Sequence, residues 1–176
     1  MQNQSPGAPP ELDDETLAFL RQVFHEVRVG NAPEVCEYLV RGLPPNLRNE
    51  KGDSFLMLAC YHGHAEVAKL LLEHGADPEL ANDRGQTPLA AAAFKGDEAI
   101  VRLLLDNGAD IDGSGHDGRT ALMTAAMFNR TGIVDLLLER GADIDRRDAN
   151  GYTAEAAAQA MNAPDTPGQL ARAARR

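Results

Sequence analysis

The chain has no tryptophan, and only 5% of its 176 residues are aromatic. One large aromatic-centred core is therefore not expected, and Ala and Leu have to fill the interfaces between elements. Cysteine is equally scarce, with only Cys36 and Cys60. By spacing Cys36 aligns with Lys69, Arg102 and Asp135, which suggests an outer exposed face, an environment different from that of Cys60. The two are expected to remain free thiols, as in a reducing cytoplasm. No apolar run approaches the roughly 18 residues that a membrane span requires. The opening MQNQSPGAPPELDDE has neither a basic nor an apolar segment, so no secretory leader is expected and the sequons at Asn3 and Asn129 are chance matches. Lys and Arg do not cluster outside the last five residues, and the net charge is −10. That balance disfavours nucleic acid and anionic membrane as partners, because both need a basic field.

Catalytic patterns are missing as well. No Gly-rich phosphate loop follows a strand, and neither G-x-S-x-G nor H-E-x-x-H occurs. The acids Asp143 and Asp145 fall in polar turns, where nothing would raise a carboxyl pKa for catalysis. Asp110 to Gly115 imitates the start of a calcium loop, but the twelfth position is Ala121 where a bidentate Glu is required. An enzyme is not expected, and neither a metal nor a cofactor.

What is present is a register. Gly52, Gly85, Gly118 and Gly151 are 33 residues apart, as are Gly42, Gly75, Gly108 and Gly141. A third column holds Gly30, Gly63, Gly96 and then Asn129, with Asn replacing Gly at a position that calls for a left-handed backbone. The stretch from Ala81 to Asp112 shows the unit most fully. A polar turn ends at Gly85 and is followed by Thr87-Pro88-Leu89, a short apolar helix and a turn at Gly96. A second helix runs through Leu103-Leu104-Leu105, and Gly108-Ala109-Asp110 closes the unit. Thr can cap the first helix while Pro occupies its first position. A fixed period with this order resembles an ankyrin repeat, as in small stand-alone proteins of that family. The Ala/Gly/Arg-rich composition suggests a bacterial source.

The resemblance implies an all-α solenoid of stacked helix-turn-helix units joined by β-turn or hairpin-like loops. It divides the chain into a disordered tail over 1–15, a degenerate N-terminal cap over 16–48 and repeats over 49–81, 82–114 and 115–147. A degenerate C-terminal cap with its tail follows over 148–176 and is expected to fray. Leu17, Leu20, Val23, Phe24 and Val27 have helical spacing in the first unit, and Pro33 starts its second helix. Ser54 and Phe55 stand where the second repeat has Thr87-Pro88, and Ala121 follows Thr120 in the third. In the last unit Thr166 is expected to cap a short helix with Pro167 first. The histidine that follows T-P-L in the family is replaced by Met57, Ala90 and Met123, so the hydrogen bonding it would provide between repeats has to come from elsewhere.

The family resemblance places function on the concave side, formed by turn tips and the exposed ends of the inner helices. The two residues before each inter-helix turn point into it: Arg28, Tyr61, Phe94, Met127 and Ala160 in one column, Val29, His62, Lys95, Phe128 and Met161 in the other. Aromatic and Met side chains at such positions suggest a binding surface. The expected partner site is Tyr61, His62, Phe94, Lys95, Met127 and Phe128, with Arg84 and Arg119 at the tips. The expected function is a non-catalytic, cytoplasmic protein-binding adaptor, monomeric, whose partner the sequence does not name. The alternative is an accessory protein that delivers haem or a metal to a client enzyme such as a catalase, using Tyr61, His62 and His64.

Overall fold

Residues 13–175 are described by a computed structural model of the chain. Of the tail expected over 1–15, residues 1–12 lie outside them. Ten helices follow in order: α1 (Asp14–Val29), α2 (Ala32–Val40), α3 (Phe55–His62), α4 (Ala65–Glu73), α5 (Pro88–Lys95), α6 (Glu98–Asp106), α7 (Ala121–Met127), α8 (Thr131–Glu139), α9 (Ala154–Ala160) and α10 (Thr166–Ala173). The odd-numbered helices pack side by side in an inner row, and the even-numbered ones form an outer row. Among the described residues there is no strand, only an isolated bridge between Arg48 and Ser54.

Helices of seven to nine residues are too short to persist alone, so stacking must supply their stability. The inner helices are accordingly buried nearly all round. Phe55 to Cys60 in α3, Pro88 to Ala93 in α5 and Ala121 to Ala126 in α7 are all buried. Their small residues let neighbouring helices approach closely. The outer helices are amphipathic, with Val67, Leu71, Ile100 and Leu104 among their inward residues.

A single column starts the inner helices. Ser54, Thr87, Thr120 and Thr153 each accept a hydrogen bond from the amide three residues on, at 3.1 to 3.3 Å. Ser54 thus replaces Thr without loss of the cap, which is typically worth about 1 kcal/mol. Phe55 is buried with its ring against Phe24 at 4.6 Å, so an aromatic pair ties the first unit to the next where proline would leave a gap. Inter-helix turns need a positive φ. Gly30, Gly63 and Gly96 supply it, and so do Asn129 at φ 54° and, one period on, Asn162 at φ 55°.

The first helix begins earlier than its spacing predicts. Asp13, assigned to the tail, accepts from the Thr16 amide at 2.7 Å and starts α1 at Asp14. The last helix also departs from expectation. Thr166 is not its cap; it is the first helical residue, buried, and its hydroxyl donates to the Ala126 carbonyl at 2.6 Å. Leu170 is fully buried and Asn129 bonds both Asp165 and Thr166, so α10 is seated on the stack rather than frayed. Cys60 is buried, where the family resemblance implies an inward Ala, while Cys36 is half-buried rather than exposed; both are free.

Hydrogen bonds between repeats replace those of the missing histidine. Met57, Ala90 and Met123 are simply buried. On the outer edge, Asn46, Glu79 and Asp112 each accept the amide of the next closing Asp (Asp77, Asp110 and Asp143) at 2.8 to 3.0 Å. At the tips, Asn82 donates to Asp53 at 2.8 Å, and the Asp83 and Ala149 amides reach the carbonyls of Lys51 and Asp117.

Candidate protein-binding face

Each inner helix ends where its turn residue goes left-handed, so its last two side chains leave the stack on one side. The result is an aromatic row across successive repeats. Tyr61 of α3 stacks parallel to Phe94 of α5 at 6.0 Å, with 6° between ring planes. Phe94 meets Phe128 edge-on at 4.5 Å. Tyr61 also meets His62 edge-on at 5.4 Å, and Lys95 Nζ lies 5.2 Å from the Tyr61 ring centre. Tyr61 and Phe128 are 41% and 39% exposed, so the row ends in open aromatic surface rather than core.

Two cavities flank this row, and Tyr61 and Arg84 line both. The larger, about 550 Å³, lies between the tips and α3, with Arg28, Lys51 and Arg84 on its wall and Met57 and Leu58 at its apolar side. The second, about 220 Å³, is framed by Phe94, Met127, Phe128 and Arg119, with Ala90 and Thr124 in its lining. Ala90 is short where the neighbouring repeats carry Met57 and Met123.

The family model described as Ankyrin repeats (3 copies) matches residues 24–114, and that described as Ankyrin repeat matches residues 117–149. The chain belongs to the ankyrin repeat family. An ankyrin repeat protein of Pseudomonas aeruginosa is 57% identical over 61 residues, which are 35% of this chain and 36% of that protein. The chain therefore spans well under two thirds of that relative's length. Ankyrin repeats are in general protein–protein interaction modules, and among the described residues no helix is long and apolar enough to cross a membrane.

The ankyrin stack brings six of the eight expected site residues onto one continuous surface: Tyr61, His62, Phe94, Lys95, Met127 and Phe128. Arg84 and Arg119 face them from the tips. Phe94 and Met127 are half-buried, Phe94 between the Tyr61 and Phe128 rings, instead of fully solvent-facing. Spacing placed Arg28 in its column but not in the expected site, and the lining residues Met57, Leu58, Ala90 and Thr124 were not anticipated. The short side chain of Ala90 between two Met positions was the available signal for the second cavity.

His64 belongs to the scaffold. Its Nε2 bonds the Arg28 carbonyl oxygen at 2.7 Å, and its ring closes over Gly30, where a Cβ would lie 2.5 Å from Nδ1. Arg130 bonds the Phe94 carbonyl at 2.9 Å from the same position two repeats on. His62 stacks on His64 at 6.1 Å. Partial burial, His64, Lys95 and Arg28, in that order, hold the His62 pKa below its ordinary value. Among the described residues no three His, Cys, Asp or Glu side chains converge as metal ligands would. Burial, with Asp97 nearby, pushes the Cys60 thiol well above its ordinary range.

Proposed function

We propose that this chain is a non-catalytic cytoplasmic adaptor that holds a partner protein against its concave face, with residues 16–48 and 148–176 closing the two ends of the stack. The observation that carries the reading is the aromatic row Tyr61–Phe94–Phe128, exposed at its two ends, beside two open cavities. Exposed aromatic surface of this kind is costly to leave in water and is enriched at interface centres. Phe94 and Phe128 act as anchors, Met127 fills the space beside them, and Arg84, Lys95 and Arg119 form the rim. The surface is preformed by backbone turns and packed helices, so little ordering is required on binding.

A pull-down from native lysate tests this. A specific band retained by the wild-type chain and lost with Phe94→Glu/Phe128→Glu supports the concave face, provided both chains have the same circular dichroism spectrum. Because Phe94 is half-buried, Lys95→Glu/Phe128→Glu is the second variant, both of its positions being exposed. A band retained by every variant contradicts the assignment.

A further inference from the structure

The cations on this face outnumber its carboxylates, whereas carboxylates dominate the chain as a whole. The net charge is −10, yet Arg28, Lys51, Arg84, Lys95 and Arg119 surround the aromatic row. Among the described residues, Arg28, Lys51, Arg84 and Lys95 form no ion pair. Arg119 reaches Asp117 only at 4.0 Å, and its Nε has no acceptor. The acids nearby keep their charge but are held by scaffold groups. Asp53 accepts from Asn82 at 2.8 Å, Asp83 pairs with Arg48 at 3.1 Å, and Asp117 accepts the Arg119 amide at 3.0 Å. Glu50, exposed on the rim, is the remaining carboxylate at the larger cavity. The groove thus presents five cations around apolar rings, four of them outside any ion pair among the described residues, against four carboxylates.

We propose that the occupant of this face is an acidic, extended segment of a partner protein, carrying an aromatic or aliphatic anchor about three residues from its key carboxylate. The inference rests on the concave-face reading and adds the chemistry of the partner. The carboxylate meets Arg28, Lys51 and Arg84 in the larger cavity, and the anchor enters the second cavity against Phe94, Met127 and Phe128. Neighbouring packed helices are about 8–10 Å apart, and an extended chain advances about 3.3 Å per residue, which sets the spacing. Arg84, lining both cavities, bridges the two subsites. Complementary charge would speed encounter and reject basic partners.

The test is panning of a random 12-residue peptide library against the full chain, followed by affinity measurement of the enriched synthetic peptides. The expected result is acidic peptides with an apolar residue about three positions from an Asp or Glu. Their binding should weaken about ten-fold or more with Arg84→Glu or Arg28→Glu and fall with added salt. Neutral or basic peptides that still lose binding with Lys95→Glu/Phe128→Glu would overturn the acidic partner and leave the face intact. Peptides indifferent to the face variants, or none enriched, would overturn both. Equal affinity for a single-stranded 20-mer of thymidylate would overturn the proposal in favour of a nucleic acid. A dimer in sedimentation that Arg84→Glu dissolves would overturn it in favour of a second copy of the chain.

Discussion

The two long edges of the stack follow the same 33-residue register and use charge in opposite ways. On the outer edge, carboxylates are structural: Glu79 and Asp112 accept amides of the following repeat, and Asp77, Asp110 and Asp143 accept amides within their own turns. On the concave edge the acids are held by scaffold donors, and Arg28, Lys51, Arg84 and Lys95 stay outside any ion pair among the described residues. The comparison teaches that an overall charge of −10 does not describe the face where the aromatic row lies, whose cations and carboxylates nearly balance. Composition argues about solubility and encounter, whereas the local surface decides the partner.

The largest effect should come from a side chain that both edges depend on. Leu104 is fully buried between the helix rows. Leu104→Ala should cost about 3 kcal/mol in urea unfolding and weaken every function of either edge. The next change separates the edges. Phe128→Glu with Lys95→Glu should cost about 2 kcal/mol or more of partner binding while moving the unfolding midpoint little, since both side chains are exposed. The converse substitution is Asp112→Ala, which removes the acceptor of the Asp143 amide. It should cost about 1 kcal/mol of stability and leave partner affinity unchanged. If Asp112→Ala weakened binding as much as the concave variant, the division of labour between the edges would fail.

The smallest expected effect is on His62, which senses the field of the concave edge. Partial burial and then His64, Lys95 and Arg28 hold its folded pKa below 6.5. The unfolded chain therefore binds the proton more readily, so His62 favours the fold fully above about 6.5. That contribution is lost as pH falls from there through the folded midpoint. An NMR titration of the His62 ring should show a midpoint below 6.5, and Lys95→Ala should raise it. A midpoint unmoved by Lys95→Ala would mean that the field at this face is not set by its cations.

How much of this was legible in the sequence depends on how local the cause is. The glycine columns and Asn129 were readable because a left-handed turn admits few residues, and the Ser/Thr column was readable because a cap acts over three residues. The start of α1 was misjudged because the capping Asp13 sits in an acidic run resembling a tail. The end of the chain was misjudged for another reason. Thr166-Pro167 has the local signature of a cap and first helical residue, yet the Thr166 hydroxyl is claimed by the Ala126 carbonyl 40 residues away. The aromatic columns followed from register alone. The cavities did not, because they depend on how Ala90, Met127 and Thr124 from different repeats fit together. The unpaired state of Arg28 and Arg84 could not be read either, since it depends on which carboxylates the fold has already used.

The most direct test of the account places a photo-cross-linking benzoylphenylalanine at position 128 in one chain and at position 143 in another. Both chains are irradiated in native lysate under identical conditions. Position 128 lies on the concave row and position 143 on the outer edge. The account predicts a discrete adduct from position 128 and none from position 143. An adduct from position 143 alone, or the same adduct from both, would contradict it.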